Sequence, residues 1–331
     1  MIFFNIDLHV AVIADIRNIF SRLGHTVIDK SLSDYTFAFG RRMDAVDVIN
    51  KKNWKYLDEK MCNDFYDAYK DRLKDYDGFI CTYPPSFSLL YEKFNKPIII
   101  QAPIRFEVPF QNDPVRHNRF LDYLKNGIDN KQIIPICNSL YEKKYCERFT
   151  EREWNLIPNI CDYTGIDYTG GEKYIVYNHF DVGFSHSMVV GKKHYLGKRY
   201  KWSAFNSVKG VIHFPYNVST MSIYEQYTGN VPLLFPSLKF NMDLYKQGLT
   251  MSDISWNKNK LDSVEWIGLS DFYNSEWMPH IQCFDSLDDL SEKVETLDTE
   301  RVSGLMREFN VIRKNRIYNK WTDVLNGLVA S

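Results

Sequence analysis

The stretch VIHFPYNVSTMSIYEQYTGNVPLLFPS, Val211 to Ser237, gathers residue types that can do chemistry. The run Lys209–Phe214 reads as a buried strand, which Pro215 ends. A helix is expected to follow, with the amides of Ser219, Thr220 and Met221 at its start. Amides there lack intrahelical partners, and the helix dipole adds partial positive charge. A diphosphate fits such a place. His213 ends the strand feeding this loop, and with Asn217 and Ser222 it is expected to contact the same ligand. Glu225 lies one turn further in. A carboxylate there disfavours a diphosphate but can accept hydrogen bonds from sugar hydroxyls. Ordinary capping is the competing account, with Ser219 or Thr220 as N-cap and Ser222 with Glu225 as a capping box.

The run Glu225-Gln226-Tyr227-Thr228-Gly229-Asn230-Val231-Pro232 resembles the E-A-x-x-x-G-x-P segment of glycosyltransferases with the two-Rossmann GT-B fold. In that family the segment belongs to the C-terminal domain. The resemblance implies Glu225 as ribose ligand and Ser219, Thr220 and Met221 as diphosphate ligands. It covers most of the chain in architecture and about twenty residues in motif. Many retaining members carry a glutamate eight residues before the ribose glutamate; this chain has Asn217, so inversion is favoured. The family's usual pattern implies no metal and no cofactor beyond the nucleoside-diphosphate sugar itself. Basic residues would offset the leaving diphosphate's charge. Lys198 and Arg199 are taken for that role from the cluster Lys192, Lys193, Lys198, Arg199 and Lys201. Trp202 is a base-stacking residue or a core residue. The formal DxD, Asp75-Tyr76-Asp77, reads as a polar turn.

An inverting transfer needs a general base. Asp7 and His9 follow the first strand, and some inverting members have a histidine at a similar place, assisted by a carboxylate. His9 has a suitable ordinary pKa; Asp7 can act instead. Tyr83 and Arg105 stand at later strand ends and are expected to bind the acceptor. Ser86, Glu107, Asn138 and Ser139 lie at similar positions. An oxidoreductase is disfavoured because no GxGxxG follows an expected strand. A sugar-nucleotide epimerase of the same fold and a non-catalytic sugar-nucleotide or glycan-binding protein remain as alternatives.

The elements that must position these groups alternate. Strands are expected at Ile2–Ile6, Thr26–Ile28, Gly78–Cys81, Pro97–Gln101 and Ile133–Asn138. Helices are expected at Ala11–Leu23, Asp64–Lys74, Ser86–Phe94, Phe120–Gly127 and Leu140–Phe149. The strands are continuous apolar runs, as in a parallel sheet covered on both faces. Asn159–Glu172, rich in Gly, Asp and Thr, reads as a linker. Strands then resume at Tyr174–Tyr177, Lys209–Phe214, Val231–Phe235 and Gln282–Phe284, with helices at Ser222–Tyr227, Leu287–Glu295 and Arg301–Val324. The fold class is α/β, with two Rossmann-like domains whose parallel sheets face across a cleft. The expected division is 1–165 (acceptor-binding), 172–305 (nucleotide-sugar-binding) and a helix over 306–331 that can pack back on the first domain.

Composition bounds the partners. The 331 residues suffice for two ordinary domains. The net charge of -1 argues against nucleic acid or an anionic membrane as main partner. The expected partners are a nucleotide sugar and a glycan or glycoconjugate acceptor. The cysteines form no CxxC pair, and Cys81, Cys137 and Cys283 read as buried thiols, suiting a reducing compartment. The N-terminus lacks a basic leader region, and no apolar run has membrane-spanning length. A cytoplasmic location is the expectation.

Overall fold

The computed structural model describes residues 1–103, 105–197, 200–252 and 263–330. The chain divides into two compact units, one comprising Met1–Asn159 with Ile317–Ser331, the other Ile160–Arg316.

The first unit runs β1 (Ile2–Asp7), α1 (Val10–Arg22), β2 (Thr26–Ser31), α2 (Glu59–Tyr69), β3 (Gly78–Cys81), β4 (Ile98–Ala102), α3 (Pro114–Asp129), β5 (Ile133–Cys137), α4 (Leu140–Thr150) and β6 (Asn155–Leu156). Its six strands stand in the order β2-β1-β3-β4-β5-β6. All pair in parallel. Every residue of β3 and β4 is buried, as an apolar strand covered on both faces requires. Ser86–Phe94, expected as a helix, lies within 3-10 turns over Pro85–Phe94, so the β3–β4 crossover has no full α-helix. Tyr35–Phe39 falls in another short 3-10 piece.

The second unit runs β7 (Tyr174–Tyr177), β8 (Val189–Gly191), α5 (Lys192–Leu196), β9 (Gly210–His213), α6 (Met221–Thr228), β10 (Leu233–Pro236), α7 (Leu238–Lys246), α8 (Ser263–Gly268), β11 (Gln282–Phe284) and α9 (Leu287–Thr296). Its strands are also parallel, in the order β11-β10-β9-β7-β8. Read from β8, this is the order of the first sheet: the first strand lies inside, the second on one side and the third on the other. Tyr174, Ile212, Phe214, Leu234 and Phe284 meet Leu244, Leu290 and Val294 in one core. Cys283 corrects an expectation: it is exposed, because β11 is an edge strand and Cys283 alternates outward from buried Phe284.

The final helix, α10 (Thr299–Ala330), belongs to the second unit up to Arg316 and to the first from Ile317. Ile317, Trp321 and Leu325 recur every fourth residue and are all buried. Trp321 meets Phe20 of α1 edge to face at 5.2 Å. Among the described residues no helix is long and apolar enough to cross a membrane.

The DxD sequence is a turn at the amino end of β3. The amide of Ile2 donates to Asp77 Oδ2 at 2.6 Å, and Lys96 Nζ donates to the Tyr76 carbonyl. These bonds occupy it structurally, at the end of the strands opposite Asp7 and His9.

Trp321→Ala is expected to cost about 3–5 kcal/mol, the usual loss for emptying a buried aromatic site. A urea titration followed by circular dichroism should show the lower midpoint.

Candidate functional site

In a parallel sheet, adjacent crossovers that leave to opposite faces open a crevice at the strands' carboxyl ends. In the second unit that point lies between β7 and β9. Tyr177 and His213 end these strands and are paired in register, with ring centroids 5.0 Å apart. A cavity of about 130 Å³ opens there. Its walls are the loop after β7 (Asn178, His179), the loop after β9 (Pro215–Asn217), Lys192 after β8, and Thr220 and Ser222 at the start of α6.

The first turn of α6 decides between the two readings of its hydroxyl residues. Thr220 is the N-cap residue, yet its side chain accepts no hydrogen bond from the turn. Its hydroxyl instead pairs with Ser222 Oγ at 3.1 Å. Elsewhere helices are closed by side chains: Asp58 caps α2, Asp113 α3, Ser139 α4, Ser237 α7 and Ser286 α9. Among the described residues α1 and the five-residue α5 also lack such a cap, and α1 follows β1 at the corresponding point of the first sheet. The expected Ser222–Glu225 box is replaced as well, since Glu225 Oε1 accepts from the Tyr163 hydroxyl at 2.7 Å. The helix therefore starts at the cavity with no side chain closing its first turn, and its dipole favours an anion there.

Lys192 supplies the cavity's cation. It begins α5, directly after β8, and its Nζ lies 4.0 Å from the centroid of the Tyr177 ring. Burial lowers its pKa, while the charge of Glu225 raises it. His213 is neutral: burial lowers its pKa to about 4, against the hydrogen bond with Gln226 Oε1 at 2.8 Å. Its ring stacks on Phe235 at 4.6 Å. A cation, open amides and a neutral imidazole make a site for an anion.

The first unit has its switch point between β1 and β3. Leu8 N donates to Tyr83 O at 2.7 Å, and the rings of His9 and Tyr83 meet edge to face at 6.2 Å. Two residues after Asp7, the chain has left the sheet and His9 is exposed, although the protein packed around it lowers its pKa. Asp7 is fully buried, opposite Ser31 in the β1–β2 register. Ser31 Oγ donates to Asp7 Oδ1 at 3.1 Å. Burial raises its pKa to about 8. A general base must reach its substrate, so Asp7, expected as a catalytic alternative to His9, sits instead as a buried acid beneath the surface. Arg105 lies close enough to Tyr83 for its charge to oppose the burial that raises the tyrosine's pKa. Glu107 is buried and accepts from the Tyr145 hydroxyl at 2.7 Å.

The structure thus brings His213, Asn217, Thr220 and Ser222 to one cavity and His9, Tyr83 and Arg105 to one neighbourhood. Met221 does not line the cavity wall, and the Ser219 side chain turns inward to Asp271 and Tyr224. Neither residue is among the cavity's lining. Glu225 is held one turn deeper. Gly229 has ordinary φ; it is small because a Cβ would come 2.6 Å from Ile166 Cγ2. Lys198 and Arg199 lie outside the described residues. The residue that sequence reasoning passed over is Lys192. Its signal was its place directly after the short strand Val189–Gly191, which the composition of that segment hid. Trp202 is partly buried, edge to face with Tyr163 at 5.4 Å.

No protein-family model matches the chain, and no curated protein matches it. Among solved structures it is similar to the glycosyltransferase of kitacinnamycin, with 13% identity over 99% of this chain and 98% of that one and a TM-score of 0.48. It is similar to apo UGT2 of Phytolacca americana, with 10% identity over 99% of both chains and a TM-score of 0.48. It is also similar to the S. aureus MnaA–UDP co-structure, with 11% identity over 98% of this chain and 97% of that one and a TM-score of 0.42. At TM-scores below 0.5 these likenesses are distant and add nothing to the geometry.

His213 makes stability depend on pH. Its pKa is about 4 when folded, against an ordinary 6.5, so between these values the unfolded chain binds the extra proton. Its contribution is present above the ordinary value and is lost as pH falls through this window. His213→Phe is expected to lose less thermal stability than wild type between pH 7 and pH 5, read from melting midpoints at the two values.

Proposed function

We propose that the chain is a glycosyltransferase of the GT-B kind, moving a sugar from a nucleoside-diphosphate sugar to a hydroxyl of a glycan or glycoconjugate. The observation that carries this reading is the uncapped start of α6 facing a cavity that also holds Lys192. A helix end and one ammonium suit a diphosphate better than a carboxylate or a neutral ligand.

In this reading the second unit binds the donor. Lys192 and the amides of Thr220 and Ser222 hold the diphosphate, and they stabilise the charge that grows on it as the glycosidic bond breaks. Neutral His213 and Asn217 donate or accept without adding charge. Glu225, steadied by Tyr163, accepts from the ribose hydroxyls. The first unit binds the acceptor near Tyr83 and Arg105. His9 takes the proton from the attacking hydroxyl, and its lowered pKa keeps it unprotonated at neutral pH. Attack from the face opposite the leaving diphosphate inverts the anomeric centre. No metal, no further cofactor, no nucleic acid and a cytoplasmic setting belong to the same proposal.

Thermal-shift titrations with UDP, GDP, ADP, CMP and dTDP, with and without magnesium, test the donor site. At a hundred times its dissociation constant a ligand should add about 2.7 kcal/mol of stability. Lys192→Ala is expected to weaken the nucleotide that binds by about ten- to a hundredfold. No shift with any of them would remove the diphosphate reading.

His9→Ala should spare that binding while abolishing turnover. The acid limb of the wild-type activity profile should lie below the ordinary histidine value of 6.5, since a lowered pKa keeps the base form to lower pH. An acid limb above that value would reject His9 as the base. Interconversion of two sugar nucleotides without an acceptor would mark an epimerase instead.

A further inference from the structure

The loop between β9 and α6 sets where the amides at the start of α6 lie, so what fixes the loop fixes the anion site. Its own hydrogen bonds are few: Val218 N donates to Asn217 Oδ1 at 2.7 Å. From outside the loop Met251 N donates to Pro215 O at 2.7 Å, and a 3-10 turn far away in sequence, Asp271–Tyr273, holds its later residues. Asp271 N donates to Val218 O at 3.1 Å. Ser219 and Tyr224 both hydrogen-bond the Asp271 carboxylate. Asp271 is 5% exposed, so these bonds form out of water.

The turn itself is fixed to the sheet. Phe272 stacks on Phe235 at 4.3 Å with an interplanar angle of 9°, and Phe235 in turn stacks on His213. The Tyr273 hydroxyl donates to Pro236 O at 2.7 Å. Asp271 is therefore a carboxylate on a rigid support, aimed at the loop. From the other side Arg313, fully buried on α10, lies over the rings of Tyr224 and Tyr227 at 5.8 and 5.4 Å. Its charge offsets part of the cost of burying Asp271.

We propose that Asp271 is a positioning residue for the anion site: by holding Val218 and Ser219 it sets the path of the loop and so the aim of the amides that meet a diphosphate. Asp271 touches no ligand in this account. Ser219 contributes a side chain that faces inward to the support, and the next residue, Thr220, lines the cavity. The inference rests on the reading of the cavity as a diphosphate site.

Calorimetric titration of the full chain with inorganic pyrophosphate, and with whichever nucleoside diphosphate binds, tests it. Asp271→Leu and Ser219→Ala are each expected to weaken pyrophosphate about tenfold, the worth of one buried hydrogen bond. The double variant should lose little more than either alone, because both cut the same link. Asp271→Asn keeps one acceptor oxygen and should recover most of the affinity. Additive losses, or unchanged affinity in Ser219→Ala, would overturn the proposal. Should Asp271→Leu fail to fold, Ser219→Ala and Asp271→Asn still decide it. Wild type binding neither pyrophosphate nor any nucleoside diphosphate would instead overturn the diphosphate reading, and this inference with it.

Discussion

Where the strand order of a parallel sheet reverses, right-handed crossovers leave to opposite faces, and the gap this leaves cannot be closed by the sheet itself. Here β1 lies between β2 and β3, and β7 lies between β8 and β9. Each unit therefore carries one obligatory crevice at the carboxyl ends of its strands. Nearly every polar residue with a plausible chemical role lines or adjoins one of them. His9 and Tyr83 meet at the first; Tyr177, Lys192, His213 and Thr220 meet at the second. Topology, more than any single side chain, explains why residues so far apart in sequence come together.

The second consequence concerns helix starts. An amide at a helix N-terminus needs a partner, and most helices of this protein receive one from an Asp or Ser at the cap. Among the described residues the exceptions are α1, α5 and α6, and all three begin at the crevices. In α1 the cap position is held by His9, whose ring turns towards Tyr83. In α6 a threonine of the right type is present, but its hydroxyl is engaged by Ser222. Leaving a cap unmade costs about 1 kcal/mol each time. A ligand that supplies the missing acceptor would return that energy as binding affinity, which is a physical reason for function to sit where local stability is lowest.

Much of this was legible in the sequence, because buried parallel strands are continuous apolar runs and identify themselves. Ile98–Ala102 and Gly210–His213 are of that kind. What escaped was short or at an edge. Val189–Gly191 has three residues and Asn155–Leu156 only two, too few for periodicity to register. Missing the first hid Lys192, since a lysine in a basic loop looks like its neighbours until a strand is seen to end before it. Helix over Ser86–Phe94 was wrong in kind because apolar spacing cannot separate α from 3-10 geometry in so short a run. The direction of individual side chains was also beyond reach. Ser219 and Thr220 are adjacent and chemically alike, yet one faces Asp271 and the other the cavity.

Asp7 and His9 show how two steps along a chain can separate two roles. Asp7 is the last residue of β1, enclosed on both faces, where ionisation would leave a carboxylate without water; burial raises its pKa to about 8. His9 has left the strand, and packed surroundings lower its pKa instead. Both shifts act in the same sense, towards the uncharged form at neutral pH. The imidazole of the first crevice is thus neutral, with a neutral acid beneath it. A neutral polar ligand can approach such a group without stripping water from an ion. The second crevice is built the opposite way, around the ammonium of Lys192 and an open helix end, where an approaching anion gains what it loses in hydration. The two sheets share one strand order, and the difference in charge between their crevices comes from which residues stand one or two positions beyond the strand ends.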